Sequence, residues 1–158
     1  HWSPPINLGG SVLIPEAYVL DLDVRLGLYR RLSGLTKKVE FEGFAAELID
    51  RFGKLPSEVN TLLLVVRIKS VCKKAGIGKL DGGPKGATLQ FHNDKFISPE
   101  GLVEFINQQN GMAKVKDNKL IIRRDWRKNS DKFKGAFSIA KDLAEIAASY
   151  KKKNSTKK

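Results

Sequence analysis

Glycine and proline punctuate this chain in two different ways on either side of Gly76, and that change most constrains its fold. Between Gly34 and Gly53, and between Pro56 and Gly76, the segments are long enough for helices of several turns. After Gly76, short strand-like runs flank turn-forming clusters, and each pair of runs is followed by a helical pattern. The expected class is α+β: N-terminal helices, then two β-hairpin–helix units forming a small, mostly antiparallel sheet covered by helices.

In the first half, Asp21 or Asp23 is placed to cap a helix over Val24–Leu32, where Val24, Leu28 and Leu32 recur at helical spacing. Arg30 and Arg31 fall in its last turn, where the helix dipole favours cations, and Ser33-Gly34 ends it. Thr36 is the expected cap of a second helix reaching Phe52, with Val39, Phe41, Phe44, Ala45, Leu48, Ile49 and Phe52 as a broad apolar face and Gly53 as its stop. Pro56 opens a third helix at its first position, ending near Ala75, with Leu64, Ile68, Val71, Cys72 and Ala75 as the buried stripe.

In the second half, Ile77–Leu80 and Ala87–Phe91 read as strands joined by the turn-rich 81–86 stretch. Ser98-Pro99 starts a helix that ends near Gln109. Met112–Lys116 and Leu120–Arg124 form a second hairpin around Asp117-Asn118. Ser130 or Asp131 begins a last amphipathic helix with Phe133, Phe137, Ala140, Leu143, Ile146 and Ala147 on one face.

The ends read differently from the body. Residues 1–12 form an expected extended arm, and Ser11–Ile14 a short strand stopped by Pro15. A start at His1 rather than Met predicts an excised fragment with a tag remnant. Residues 13–149 are expected to be one domain with a helical part at 13–76 and a hairpin–helix part at 77–149; 150–158 reads as a disordered lysine-rich tail.

Charge and chemistry narrow the function classes. Net charge is +12, from 29 basic against 17 acidic residues, and leaving out Lys151, Lys152, Lys153, Lys157 and Lys158 leaves about +7 on the body. That surplus attracts nucleic acid or an acidic partner without specifying either. No apolar run approaches the roughly 18 residues of a membrane span, so no membrane partner is expected. The lone Cys72 forms no internal disulfide and fits a reducing, cytoplasmic setting.

No cofactor, metal or catalytic set is expected. Gly76-Ile77-Gly78-Lys79-Leu80 lacks both the first glycine and the hydroxyl of a phosphate loop, and Pro84 has no amide to donate in Gly82-Gly83-Pro84-Lys85-Gly86. His92 has no second nitrogen or thiolate ligand nearby in sequence. The chain is therefore expected not to be an enzyme by itself. The cluster Arg123, Arg124, Trp126, Arg127 and Lys128 carries two readings: a grip on a phosphate backbone with Trp126 stacked on a base, or a solvated strand end with Trp126 partly buried.

Three segments resemble the transcription-repair coupling factor (Mfd) family: Leu13-Ile14-Pro15-Glu16-Ala17-Tyr18-Val19 continuing through Arg25–Leu32, then Glu47-Leu48-Ile49-Asp50-Arg51-Phe52-Gly53-Lys54-Leu55-Pro56, and more loosely Ala75–Leu80. The resemblance implies a C-terminal regulatory domain of a bacterial, ATP-driven DNA translocase that removes stalled RNA polymerase and recruits UvrA. It implies an intramolecular contact with a UvrB-like N-terminal module that masks UvrA binding; RNA polymerase and DNA would be reached through the parent. Glu47 and Asp50 match the family's acidic contact positions. Spaced three apart, they share a helix face. Asp50 also sits against the helix dipole at a cost of ~0.3–1 kcal/mol, which invites a cation from elsewhere. The alternative is internal: Asp50 pairs with Arg25, Arg30 or Arg31. The competing function is a basic nucleic-acid-binding module using Arg123–Lys128 and the lysine tail.

Overall fold

A computed structural model describes residues 2–10 and 12–155. The chain divides into two compact units, one of Gly10–Ser70 and one made of the residues before Gly10 together with those from Val71 onward. The expected arm of residues 1–12 is thus divided, the part before Gly10 going with the second unit and Gly10 and Val12 with the first, and the next boundary falls at 70/71 rather than 76.

The first unit contains α1 (Leu22–Ser33), α2 (Lys38–Phe52) and the start of α3 (Ser57–Ala75). Asp21 caps α1, its carboxylate accepting the Val24 amide at 3.0 Å. Lys37, not Thr36, occupies the cap position of α2, because the acceptor comes from inside the helix. Glu40 turns back to take the Lys37 amide at 2.8 Å and the Thr36 amide at 3.2 Å, and these hydrogen bonds hold its carboxyl below the ordinary range. Gly53 ends α2 at φ 95°, a left-handed conformation that a side chain resists. Pro56 stands one residue ahead of α3, its carbonyl taking the Val59 and Asn60 amides.

Ile14, Val19, Leu28, Leu32, Phe41, Phe44, Leu48, Val59 and Leu62 form the core of this unit. Tyr18, Tyr29 and Phe52 pack against it partly buried. Two residues expected on the apolar face of α2 are not there: Val39 is 70% exposed and Ile49 50% exposed. At about 100° per residue, Val39 lies nearly opposite Phe41, and Ile49 lies a quarter-turn from Leu48.

The second unit is built on a five-stranded sheet in the order β1-β2-β3-β5-β4: β1 (Ile6–Asn7), β2 (Ile77–Gly83), β3 (Gly86–Phe91), β4 (Ala113–Lys116) and β5 (Lys119–Arg123). All pairs are antiparallel except β1 with β2, so the sheet is mixed α+β architecture as expected. The short N-terminal strand is Ile6–Asn7, not 11–14: Val12, Leu13 and Ile14 are not in a strand, and Ser11 lies outside the described residues. Pro5 is tolerated there because only its carbonyl is used, accepting the Leu80 amide at 3.0 Å.

The β2–β3 connection shrinks to Pro84-Lys85, since pairing continues to Gly83↔Gly86. Asp117 and Asn118 adopt φ 52° and 61° between β4 and β5, as a two-residue hairpin turn demands. Ser98 caps α4 (Pro99–Asn107) through the Gly101 amide at 3.1 Å. The last helix, α5, runs Asn129–Ser155. It therefore starts ahead of Ser130 and carries the lysine-rich stretch as helix through Ser155, while the last three expected tail residues lie outside the described part. Leu80, Leu89, Leu120 and Ile122 from the sheet and Ala136, Ile139, Ala140, Leu143 and Ala147 from α5 are all buried.

Candidate functional site

The C-terminal half of α2 gathers the family-like residues around one carboxylate. Glu47 receives two parallel hydrogen bonds from Arg31 of α1, Nη1 to Oε2 and Nη2 to Oε1, each 2.7 Å. Arg51, one turn further along α2, adds Nη1 to Oε2 at 2.9 Å. Each guanidinium also lies over a ring, Arg31 5.2 Å from the Phe44 centroid and Arg51 4.8 Å from that of Phe52. The arginine hydrogen bonds hold the Glu47 carboxyl down at about 2 and raise the Arg31 guanidinium further. Behind the helix end, the Tyr18 hydroxyl donates towards the carbonyls of Leu48 (3.1 Å) and Gly53 (2.7 Å), tying the α2 stop to the chain that precedes α1.

The expected carboxylate pair is thus divided. Glu47 is already satisfied by arginines of its own unit. Asp50 is exposed and has no ion pair among the described residues. The internal alternative for Asp50 does not occur: Arg31 is taken by Glu47, and Arg25 donates to the Val19 and Leu20 carbonyls at 2.7 and 3.1 Å. Asp50 continues a strip of α2 formed with Val39, Gly43 and Ala46 at i, i+4, i+7 and i+11, every one exposed. Ile49 borders it, and a Cβ added at Gly43 would meet nothing within 4 Å. The strip is an exposed surface of Val39, Gly43 and Ala46 with Ile49 beside it and one anion, Asp50, without an ion pair among the described residues.

Sequence reasoning saw the two acids but not the clamp. The Glu47–Arg51 spacing of four was a readable signal. Arg31 lies sixteen residues away and becomes a partner only when α1 packs beside α2.

The Arg123–Lys128 cluster does not form a stacking platform. Trp126 is buried at 6% exposure, its amide bonded to the Pro84 carbonyl at 2.8 Å, and the Cα of Gly135 packs on the indole so closely that an added Cβ would lie 2.5 Å from it. Arg127 pairs with Asp125 at 2.7 Å, and Arg124 reaches the Gln109 side-chain oxygen at 2.5 Å. Arg123 and Lys128 remain exposed.

His92 stacks on Trp2 with ring centroids 4.1 Å apart. Cys72 is fully buried, and burial pushes its thiol up to about 12, so it is a poor nucleophile. Among the described residues no group of three or more His, Cys, Asp or Glu is placed to hold a metal ion, and no helix is long and apolar enough to cross a membrane.

Comparison with known proteins places this geometry in context. A family profile described as TRCF domain matches residues 8–102. The chain is 44% identical over 119 residues to a protein named transcription-repair-coupling factor from Rickettsia conorii, covering 75% of this chain and 10% of that protein. It is 35% identical over 104 residues to the protein of the same name from Escherichia coli K12, covering 66% of this chain and 9% of that one. The chain thus spans about a tenth of the length of the curated relatives it matches. A crystal structure described as the C-terminal domain of transcription-repair coupling factor superposes with a TM-score of 0.74 at 20% identity, covering 94% of this chain and 96% of the other.

Proposed function

This chain belongs to the TRCF domain family, the family of the transcription-repair-coupling factors it matches, and on that premise we propose that it is the regulatory C-terminal domain of such a factor, held by an intramolecular contact against a UvrB-like N-terminal module and masking UvrA binding there. The parent would be an ATP-dependent DNA translocase acting on stalled RNA polymerase, its motifs outside this chain. The observation that carries the reading is Asp50: an exposed carboxylate, without an ion pair among the described residues, near the end of α2 where the helix dipole disfavours it. A cation from the partner surface would relieve both conditions at once.

Glu47 has a different role in this reading. Bound to Arg31 and Arg51, it fixes the end of α2 and the orientation of its exposed strip, and so presents Asp50 rather than docking itself. Switches of this kind need a coupling of only ~1–3 kcal/mol, a factor of about 5 to 150 between states.

The test is made in the full-length parent. Asp50→Arg should raise both UvrA binding and basal ATP turnover by releasing the closed state. Unchanged values in a folded variant would remove Asp50 from the closure.

A further inference from the structure

One face of the sheet is basic and uncovered. Burial alternates along β3 and β5, with Ala87, Leu89, Leu120 and Ile122 facing inward. The pairing therefore sets Thr88 opposite Ile121 and Lys114 across the outer face, and Gln90 opposite Lys119 and Lys116 in the next row. Lys79 joins the second row through Gln90, and Arg123 ends the outward series on β5.

The outer face thus presents Lys79, Lys114, Lys116, Lys119 and Arg123, all exposed, with Asp81 as the anion within the two rows; Asp125, at the Arg123 end, is paired with Arg127. Asp81 is itself 3.8 Å from Lys79. Lys114, Lys116, Lys119 and Arg123 have no ion pair among the described residues. Their spacing is that of the sheet: about 6.6 Å along a strand and about 5 Å between strands.

Such a surface suits a polyanion that lies extended rather than one charge held in a pocket. Within the two rows the one apolar side chain is Ile121, with the exposed Met112 beside it in the hollow that Thr88 and Arg123 also line; the four unpaired cations outnumber them. The face carries no aromatic ring on which a base would stack. We infer that this face binds the phosphodiester backbone of nucleic acid without reading its sequence. The surface is the outer side of the hairpin β4–β5 and its neighbours, not the Arg123–Lys128 segment as a linear motif. It belongs to the other unit of the chain from α2, and the inference does not depend on the docking role of Asp50.

The experiment is fluorescence anisotropy on the intact 158-residue chain with random-sequence 20-nucleotide single strands and 20-base-pair duplexes. With four to five phosphates neutralised, duplex affinity should fall by roughly a few hundredfold from 50 to 200 mM salt, and somewhat less for a single strand. The triple variant Lys114→Gln/Lys116→Gln/Lys119→Gln should reduce the logarithmic salt slope by about 3 for a duplex or about 2 for a single strand. The matched variant Lys151→Gln/Lys152→Gln/Lys153→Gln on α5 should leave most of the slope intact. Which probe shows the larger slope tells duplex from single strand. Three results overturn the inference: no binding at 50 mM salt, loss of slope in the α5 variant but not the hairpin variant, or displacement of the probe by polyglutamate as efficiently as by unlabelled DNA.

Discussion

Arg31 and Glu47 meet in two parallel hydrogen bonds of 2.7 Å, joining α1 to α2 sixteen residues apart in sequence. The contact links two of the three segments that carry the family resemblance, and it commits one of the two acids expected to face a partner. Paired guanidinium and carboxylate planes give this bridge a directionality that an ordinary surface pair lacks.

The first prediction concerns pH. Glu47 ionises at about 2 in the folded chain against an ordinary 4.5, so the folded state binds its proton less readily than the unfolded one. Its contribution to stability is present above about 4.5 and is lost as pH falls towards 2. Glu47→Gln should lower the melting temperature at pH 7 and flatten its decline between pH 5 and pH 2. Parallel wild-type and variant melting curves across that window would contradict the clamp.

Tyr18 supplies a second test. Its hydroxyl closes on the Leu48 and Gly53 carbonyls at the α2 stop. Tyr18→Phe should cost ~0.5–1.5 kcal/mol in urea denaturation, the usual net worth of such a hydrogen bond. A variant as stable as the wild type would show that solvent serves those carbonyls equally well.

A third concerns the tryptophan once open to a stacking role. Gly135 lets α5 approach the Trp126 indole, where a Cβ would lie 2.5 to 2.6 Å from ring atoms. Gly135→Ala should therefore destabilise by ~1–3 kcal/mol through overpacking, outweighing the gain in helix propensity. The same change should red-shift the tryptophan emission as the indole is displaced. Nucleic-acid affinity should be unaffected in the fraction that stays folded.

Legibility in the sequence followed the range of the interaction. Asp21 capping α1, Ser98 with Pro99 opening α4, and the Asp117-Asn118 turn are decided within four residues, and each is where the sequence put it. The strand at Ile6–Asn7 was hidden because it exists only by pairing with Leu80 and Asp81, some seventy residues away. Composition alone marks the lysines of 151–153 as tail, yet the helical register of α5 carries through them. At the candidate site, both acids were visible but their difference was not. Nothing local says that Glu47 will meet Arg31 while Asp50 meets solvent.

The most direct test of the account is the affinity of this chain, added in trans, for the isolated N-terminal module proposed as its docking partner in the parent. Isothermal titration should give saturable binding that Asp50→Arg weakens by about 5- to 150-fold, while Lys151→Gln, far along α5, leaves it unchanged. Equal affinity for the wild-type chain and a folded Asp50→Arg variant would contradict the claim that this carboxylate holds the closed state.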